Sequence, residues 1–119
     1  MRIQELSEMT GLSAYTIRFY EKQGLLDGRH VRREANNYRE YTEDAIERLS
    51  FVKKLQGIGC SIAELKEILR DRDANRRTND QVIEWIRSKM GEVERRKTEC
   101  DQILVTLNRM LEHRLSLKD

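Results

Sequence analysis

No proline stands anywhere in the 119 residues, and beyond residue 80 the only glycine is Gly91, so nothing there stops one long helix. Cysteine is scarce. Cys60 and Cys100 lie far apart and are accompanied by only two histidines, which leaves neither a zinc site nor a disulfide framework. His113 has no partner cluster that would make it a metal ligand. A signal-like apolar opening is missing, as is any apolar run long enough to cross a bilayer, and both absences favour a soluble cytoplasmic protein with no membrane partner. There is no glycine-rich phosphate cradle. Glu5, Glu8, Glu21 and the other carboxylates form no acid/base constellation, and no nucleophile is accompanied by a base, so neither an enzyme nor a cofactor is expected.

The length allows one modest core and leaves no room for an enzyme domain beside a DNA-binding one. With 38% hydrophobic and 37% charged residues, the apolar content suits a small head but is thin for burying every element within one monomer. Part of the chain is therefore expected to be elongated or shared with a partner. The formal charge of +2 says little, but its distribution says more. Arg29, Arg32, Arg33 and Arg39 share one short stretch with a single acid, Glu34, in the manner of a phosphate-contacting surface. After residue 80, acids and bases alternate as on the solvated face of a helix.

The opening IQELSEMTGLSAYTIRFYEKQGLL carries two short helical patterns. Ile3, Leu6 and Met9 give the first an apolar face and Gly11 ends it. Ser13 is a natural N-cap for the second, in which Ile17 faces inward with Tyr20 or Phe19, while Ala14, Tyr15, Thr16 and Arg18 remain available outside and Gly24 closes the helix. The spacing fits a helix-turn-helix whose second helix enters a major groove. From Asp27 to Tyr41 the period fails. Val31 begins one strand, Glu34 to Asn37 supply a turn, and Tyr38 to Tyr41 return, forming a basic wing that carries Arg32, Arg33 and Arg39 toward phosphate or the minor groove. Beside them His30 is expected to be a solvated wing residue.

A helix starts at Thr42, with Ile46, Leu49, Val52 and Leu55 on its inner side. Gly57 and Gly59 break it, and Ser61 with Glu64 forms a capping box for a further helix carrying Ile62, Leu65, Ile68 and Leu69. These boundaries give a head over residues 1–70, a polar linker over 71–79, a helix over 80–112 of ~50 Å, and a tail over 113–119. Along the long helix Ile86, Met90, Val93, Lys97, Cys100, Leu104, Leu107, Leu111 and Leu115 alternate steps of four and three, and only Lys97 breaks the seam. A lone helix would leave this stripe in water, so pairing with a second copy through Ile86, Met90, Val93, Cys100, Leu104, Leu107 and Leu111 is the economical answer. The seam alone does not settle whether the paired helices are parallel.

Across nearly the whole chain these residues resemble the mercury-resistance regulator (MerR) family of bacterial transcription regulators. The opening string is similar to its first two helices, and NNYREYTEDAIERLSFVKKLQGIGCSIAELKEIL to its wing end and second helical pair. The resemblance implies a mainly α fold, a winged helix-turn-helix head followed by a long antiparallel coiled-coil dimerisation helix. It also implies a homodimer on a palindromic promoter site that activates by bending and untwisting an overlong spacer for RNA polymerase. Arg18, Tyr20, Tyr38 and Arg39 match backbone-contacting positions, and Tyr15 and Thr16 face the groove or its edge. Ser13, Arg32 and Arg33 complete the expected DNA-binding set. Phe19 stands where many members have tyrosine, Asn36-Asn37 replaces an asparagine-glycine turn, and Gln56 replaces a basic residue that makes a second-wing phosphate contact, which implies a weaker anchor.

The family's cysteine chemistries find no match. Metal-sensing members carry cysteines near the start of the dimerisation helix and beyond its end, where residues 73–85 and 111–119 have none. Iron-sulfur members carry a dense C-terminal group, and aldehyde-responsive members have cysteine where this chain has Lys54. Cys100 reads as a small seam hydrophobe and Cys60 as structural filler, each with a thiol switch as the alternative. Trp85 reads either as packing against the head or as the lining of an interface pocket for a small-molecule effector. Control by an effector and control by abundance both stay open, as do repression by occlusion and, in another class, a DNA-independent adaptor working through its coiled-coil helix.

Overall fold

A computed structural model describes residues 1–36 and 38–117. The chain divides into two compact units, one holding residues 1–76 and the other beginning at Arg77.

The first unit opens with α1 (Ile3–Thr10) and α2 (Ala14–Lys22), joined by a turn at Gly11. On α1 the buried pair is Leu6 and Thr10, while Met9, expected inside, is 56% exposed. The cause is geometric: a step of four stays closer to one helix stripe than the Leu6 to Met9 step of three. Thr10 tolerates burial because its hydroxyl donates to the Leu6 carbonyl at 2.8 Å and accepts from the Leu12 N–H at 3.3 Å. Gly11 adopts φ +73°, and a Cβ there would meet Lys53 Nζ at 2.9 Å. That ammonium donates to the Thr10 carbonyl at 3.0 Å and so caps the end of α1. Ser13 caps α2 by accepting the Thr16 N–H at 3.1 Å. Ile17 and Tyr20 turn inward, and Phe19 stays partly exposed.

Strands β1 (Val31–Arg33) and β2 (Arg39–Tyr41) form one antiparallel hairpin in the register Val31 to Tyr41, Arg32 to Glu40 and Arg33 to Arg39. The expected turn ends at Asn37, which lies outside the described residues. Tyr41 is buried at the base of the wing and donates its N–H to the Met1 carbonyl at 2.8 Å, stitching β2 to the residues that lead into α1. α1 packs on α2, on β2 and on α3 (Glu43–Gly57).

On α3 the buried residues are Ala45, Leu49, Val52 and Leu55 together with Arg48, whose burial nothing in the periodicity announced. α4 (Ile62–Asp73) begins at the expected capping box, with the Ser61 hydroxyl accepting the Glu64 N–H and the Glu64 carboxylate accepting the Ser61 N–H. Ser61→Ala is expected to lower stability by about 1 kcal/mol, read as a shifted urea midpoint with an unchanged slope. Leu65 and Leu69 bury against the head, and the Arg72 guanidinium lies 3.9 Å from the Phe51 ring centroid.

The linker expected over residues 71–79 is shorter, because α4 continues through Asp73 and the next helix begins at Asn79. Absence of apolar residues marks a segment without a core face, not one without helix. Here Arg70 and Arg72 suit the last turn of α4, Ala74 caps it, and Asn75 leaves it at φ +51°.

The second unit is α5 (Asn79–Ser116), 38 residues long and therefore about 57 Å. Thr78 and Gln81 supply a second capping box at its start, a signal the sequence reading passed over. The helix includes most of the segment expected to be a tail. None of its residues is buried.

Candidate nucleic-acid interface

The exposed side of α2 and the near face of the wing enclose a crevice of about 540 Å³ lined by Arg18, Glu21, Lys22, Val31, Arg33 and Arg39. A neighbouring groove of about 280 Å³ continues across Arg2, Gln4, Arg18, Tyr38 and Arg39, so Arg18 and Arg39 belong to both. Hairpin register explains the grouping. Val31, Arg33, Arg39 and Tyr41 share one face because their pairs sit two residues apart along the strands. Arg33 and Arg39 stand directly opposite each other, an arrangement that repels in isolation and suits a polyanion. Glu21 moderates it, with its Oε2 2.8 Å from Arg39 Nε at ion-pair distance but without hydrogen-bond alignment. Among the described residues, Arg18, Arg32 and Arg33 make no ion pair.

Tyr15 is 81% exposed on the outer face of α2, and Tyr38 is 60% exposed at the wing, with the Arg2 guanidinium 4.9 Å from its ring centroid. Thr16 is half-buried. Its hydroxyl accepts from the Ser13 hydroxyl at 2.9 Å, and the same Ser13 oxygen accepts the backbone N–H, so Ser13 acts first as the cap that aims α2. Arg2 and Lys22 were missed in the sequence. Lys22 lies one turn beyond Arg18 on the same helix and could have been found, whereas Arg2 reaches the site only through the fold.

Two residues of the expected DNA-binding set, Tyr20 and Arg32, lie away from the crevice, as does Arg29 of the basic stretch. Tyr20 is 3% exposed, and its hydroxyl donates to Oε1 of the exposed Gln56 on α3, so the side chain ties α2 to α3 and is largely withdrawn from solvent. Burial also holds its phenol above the ordinary pKa. Gln56 therefore gains an internal partner where a basic side chain would have reached outward. Arg32 alternates to the opposite face of the hairpin, across from Glu40. Arg29 is committed elsewhere: its guanidinium donates to both Asp27 carboxylate oxygens, with Nη2 to Oδ2 at 2.6 Å, and reaches Asp73 Oδ2 at 3.0 Å.

His30, expected in solvent, is 5% exposed, and its Nδ1 accepts the Asp27 N–H at 3.0 Å. Burial pushes its pKa down, against the opposing pull of the Asp27 carboxylate. A depressed folded pKa contributes stability that is present above the unfolded value near 6.5 and is lost as pH falls through the folded value. The urea midpoint of the protein is expected to decline as pH drops from 7 to 5, and His30→Gln is expected to flatten that slope.

In the second unit, Ile86, Met90, Val93, Leu104, Leu107 and Leu111 are all exposed, between 46% and 62%. Cys100, expected to be buried at the seam, is exposed, and α5 itself has no buried residue. Trp85 is half-buried, with Lys89 Nζ 5.7 Å from its ring centroid. Cys60 is buried. No helix among the described residues is long and apolar enough to cross a membrane.

A helix-turn-helix, a basic wing and a long helix with a bare apolar stripe are the parts of one known architecture. The model of the MerR HTH family regulatory proteins matches residues 1–72, and that of the MerR DNA-binding region matches residues 46–110. The chain belongs to the MerR family. It is 34% identical to the HTH-type transcriptional regulator HmrR of Rhizobium leguminosarum bv. viciae, over 95% of this chain and 82% of that protein. It is 32% identical to the HTH-type transcriptional regulator ZntR of Escherichia coli K12, over 92% of this chain and 77% of that one. Among solved structures, PbrR691 of Ralstonia metallidurans CH34 in complex with lead(II) is similar with a TM-score of 0.73 at 26% identity, covering 99% of this chain and 88% of that one. HiNmlR, a MerR family regulator lacking the sensor domain and bound to promoter DNA, is similar with a TM-score of 0.68 at 26% identity, covering 94% and 83%. This MerR-type chain is a DNA-binding transcription regulator.

Proposed function

We propose that this MerR-family regulator works in the cytoplasm as a homodimer on a two-fold symmetric promoter site, and that it activates by distorting the spacer so that RNA polymerase engages both promoter elements. The observation that carries the reading is the apolar stripe of α5, on a helix with no buried residue. A second copy of the same helix supplies the missing cover, including that of Cys100, and a two-fold pair places two heads on two half-sites. HiNmlR, a MerR family regulator lacking the sensor domain and bound to promoter DNA, supports promoter binding by a head and helix of this kind. Trp85 is the residue offered to a small-molecule effector at that interface.

Lys97 interrupts the stripe, so Lys97→Leu is expected to lower the dimer dissociation constant by about a hundredfold, one buried aliphatic side chain being worth roughly 1.5–3 kcal/mol and occurring once in each copy. Sedimentation equilibrium reads the change. In vitro transcription from templates whose spacer is shortened stepwise tests the activation itself. Activation confined to long spacers is expected, and repression at every spacer length would replace it with occlusion.

A further inference from the structure

The densest polar contacts in the head lie outside the basic crevice. Arg48, 8% exposed on α3, presents its guanidinium in two directions. Its Nη1 and Nη2 donate to the two carboxylate oxygens of Asp73, each at 2.8 Å, and its Nε donates to the Leu25 carbonyl at 2.9 Å. Leu25 follows the left-handed Gly24 in the turn by which the chain leaves α2. Asp73 also accepts from Arg29 Nη2, and Arg29 lies two residues before β1. The Arg29 carbonyl in turn accepts the Thr42 hydroxyl at 2.7 Å, on the far side of the wing.

One carboxylate at the last residue of α4 therefore ties together the exit of α2, the base of the wing and α3. A bidentate guanidinium–carboxylate pair fixes direction as well as distance. The depressed pKa of Asp73, about 2 with Arg48 as the main cause, keeps the carboxylate charged throughout the physiological range. Asp73 is followed by the connector of residues 74–78 that leads to α5.

We propose that Asp73 is a positioning residue for DNA binding: through Arg48 and Arg29 it holds α2 and the wing in one mutual orientation, anchored at the end of α4. The proposal rests on the reading that α2 and the near wing face share one duplex. Asp73 itself touches no DNA, and Arg29 is spent on the joint. Loss of the joint leaves the basic surface in place and blurs its geometry, so sequence-specific binding falls while charge-driven binding stays.

The test compares the affinity of the full chain for a duplex carrying its footprinted site with that for an unrelated duplex of equal length, at fixed salt and well below the melting temperature. For Asp73→Asn the expected result is a loss of about tenfold or more on the specific site, the size of one charge-assisted hydrogen bond, with unchanged affinity for the unrelated duplex. Asp73→Glu, which keeps the carboxylate, is expected to recover most of that loss. Because Asp73→Asn leaves a buried guanidinium short of a partner, which lowers stability, Arg29→Gln provides an independent variant that opens the wing-base arm from the exposed side. It is expected to show the same selective loss with an unchanged melting temperature. Specific affinity within about twofold of the parent in a folded variant, or an equal loss on both duplexes, overturns the proposal. A parent protein that binds both duplexes alike overturns the reading beneath it as well.

Discussion

Leu104→Glu combined with Leu107→Glu is expected to make the protein monomeric at micromolar concentration and to weaken its binding to the promoter site by about a hundredfold or more. The two leucines are 62% and 52% exposed on a helix with no buried residue. In a two-fold pair each occurs twice, so the change removes four apolar contacts worth roughly 1.5–3 kcal/mol apiece when fully buried and sets four carboxylates in their place. A monomer keeps one head and one half-site, losing the effective concentration that the partner's head enjoys once the first is bound. The head should melt as before, because the substituted residues lie outside residues 1–76. Sedimentation equilibrium and fluorescence anisotropy on one sample separate the two effects. A variant that stays dimeric, or a monomer that binds as tightly as the parent, would show that the stripe serves another partner.

The second large effect belongs to the crevice. Arg18→Ala with Arg39→Ala is expected to cut affinity at low salt by about a hundredfold or more and to flatten its salt dependence, each lost phosphate contact lowering the slope by about 0.9. Both residues line the two grooves beside α2, and removing Arg39 also leaves the Glu21 carboxylate unopposed where a phosphate would approach. Arg32→Ala is the informative control. Its charge is the same, but it lies on the far face of the hairpin, so its effect is expected to be several-fold smaller. Equal losses for Arg32 and Arg39 would mean that the duplex approaches the wing from the other side.

The elements of the head were legible because its punctuation is local. Gly11, Ser13, Gly24 and the Ser61–Glu64 box each act within four residues, and each stands where it was expected. The long helix was legible for the opposite reason, that nothing interrupts it. What could not be read was pairing at a distance. Arg29 looked like one more cation in a basic stretch, yet its partner Asp73 is 44 residues away. Arg48 carries no signal in the sequence, because no periodicity reveals a buried guanidinium whose acceptors lie on α4 and after α2. His30 pairs locally, with the Asp27 N–H three residues away, but its burial comes from the packing of the fold, and Arg32 sits beside Arg33 in sequence although strand alternation sends neighbours to opposite faces. The polar stretch after residue 70 has the composition of a linker, whereas residues 71–73 complete α4, and Asp73 is tied to Arg48 and Arg29 by ion pairs.

The most direct test of the whole account is a hydroxyl-radical footprint of the full chain on its strongest genomic site. Two symmetric blocks of protection related by a dyad are expected, centred in a promoter spacer longer than normal, with altered reactivity at the centre where the duplex is distorted. A single unsymmetric block, or protection with no reproducible sequence beneath it, would contradict it.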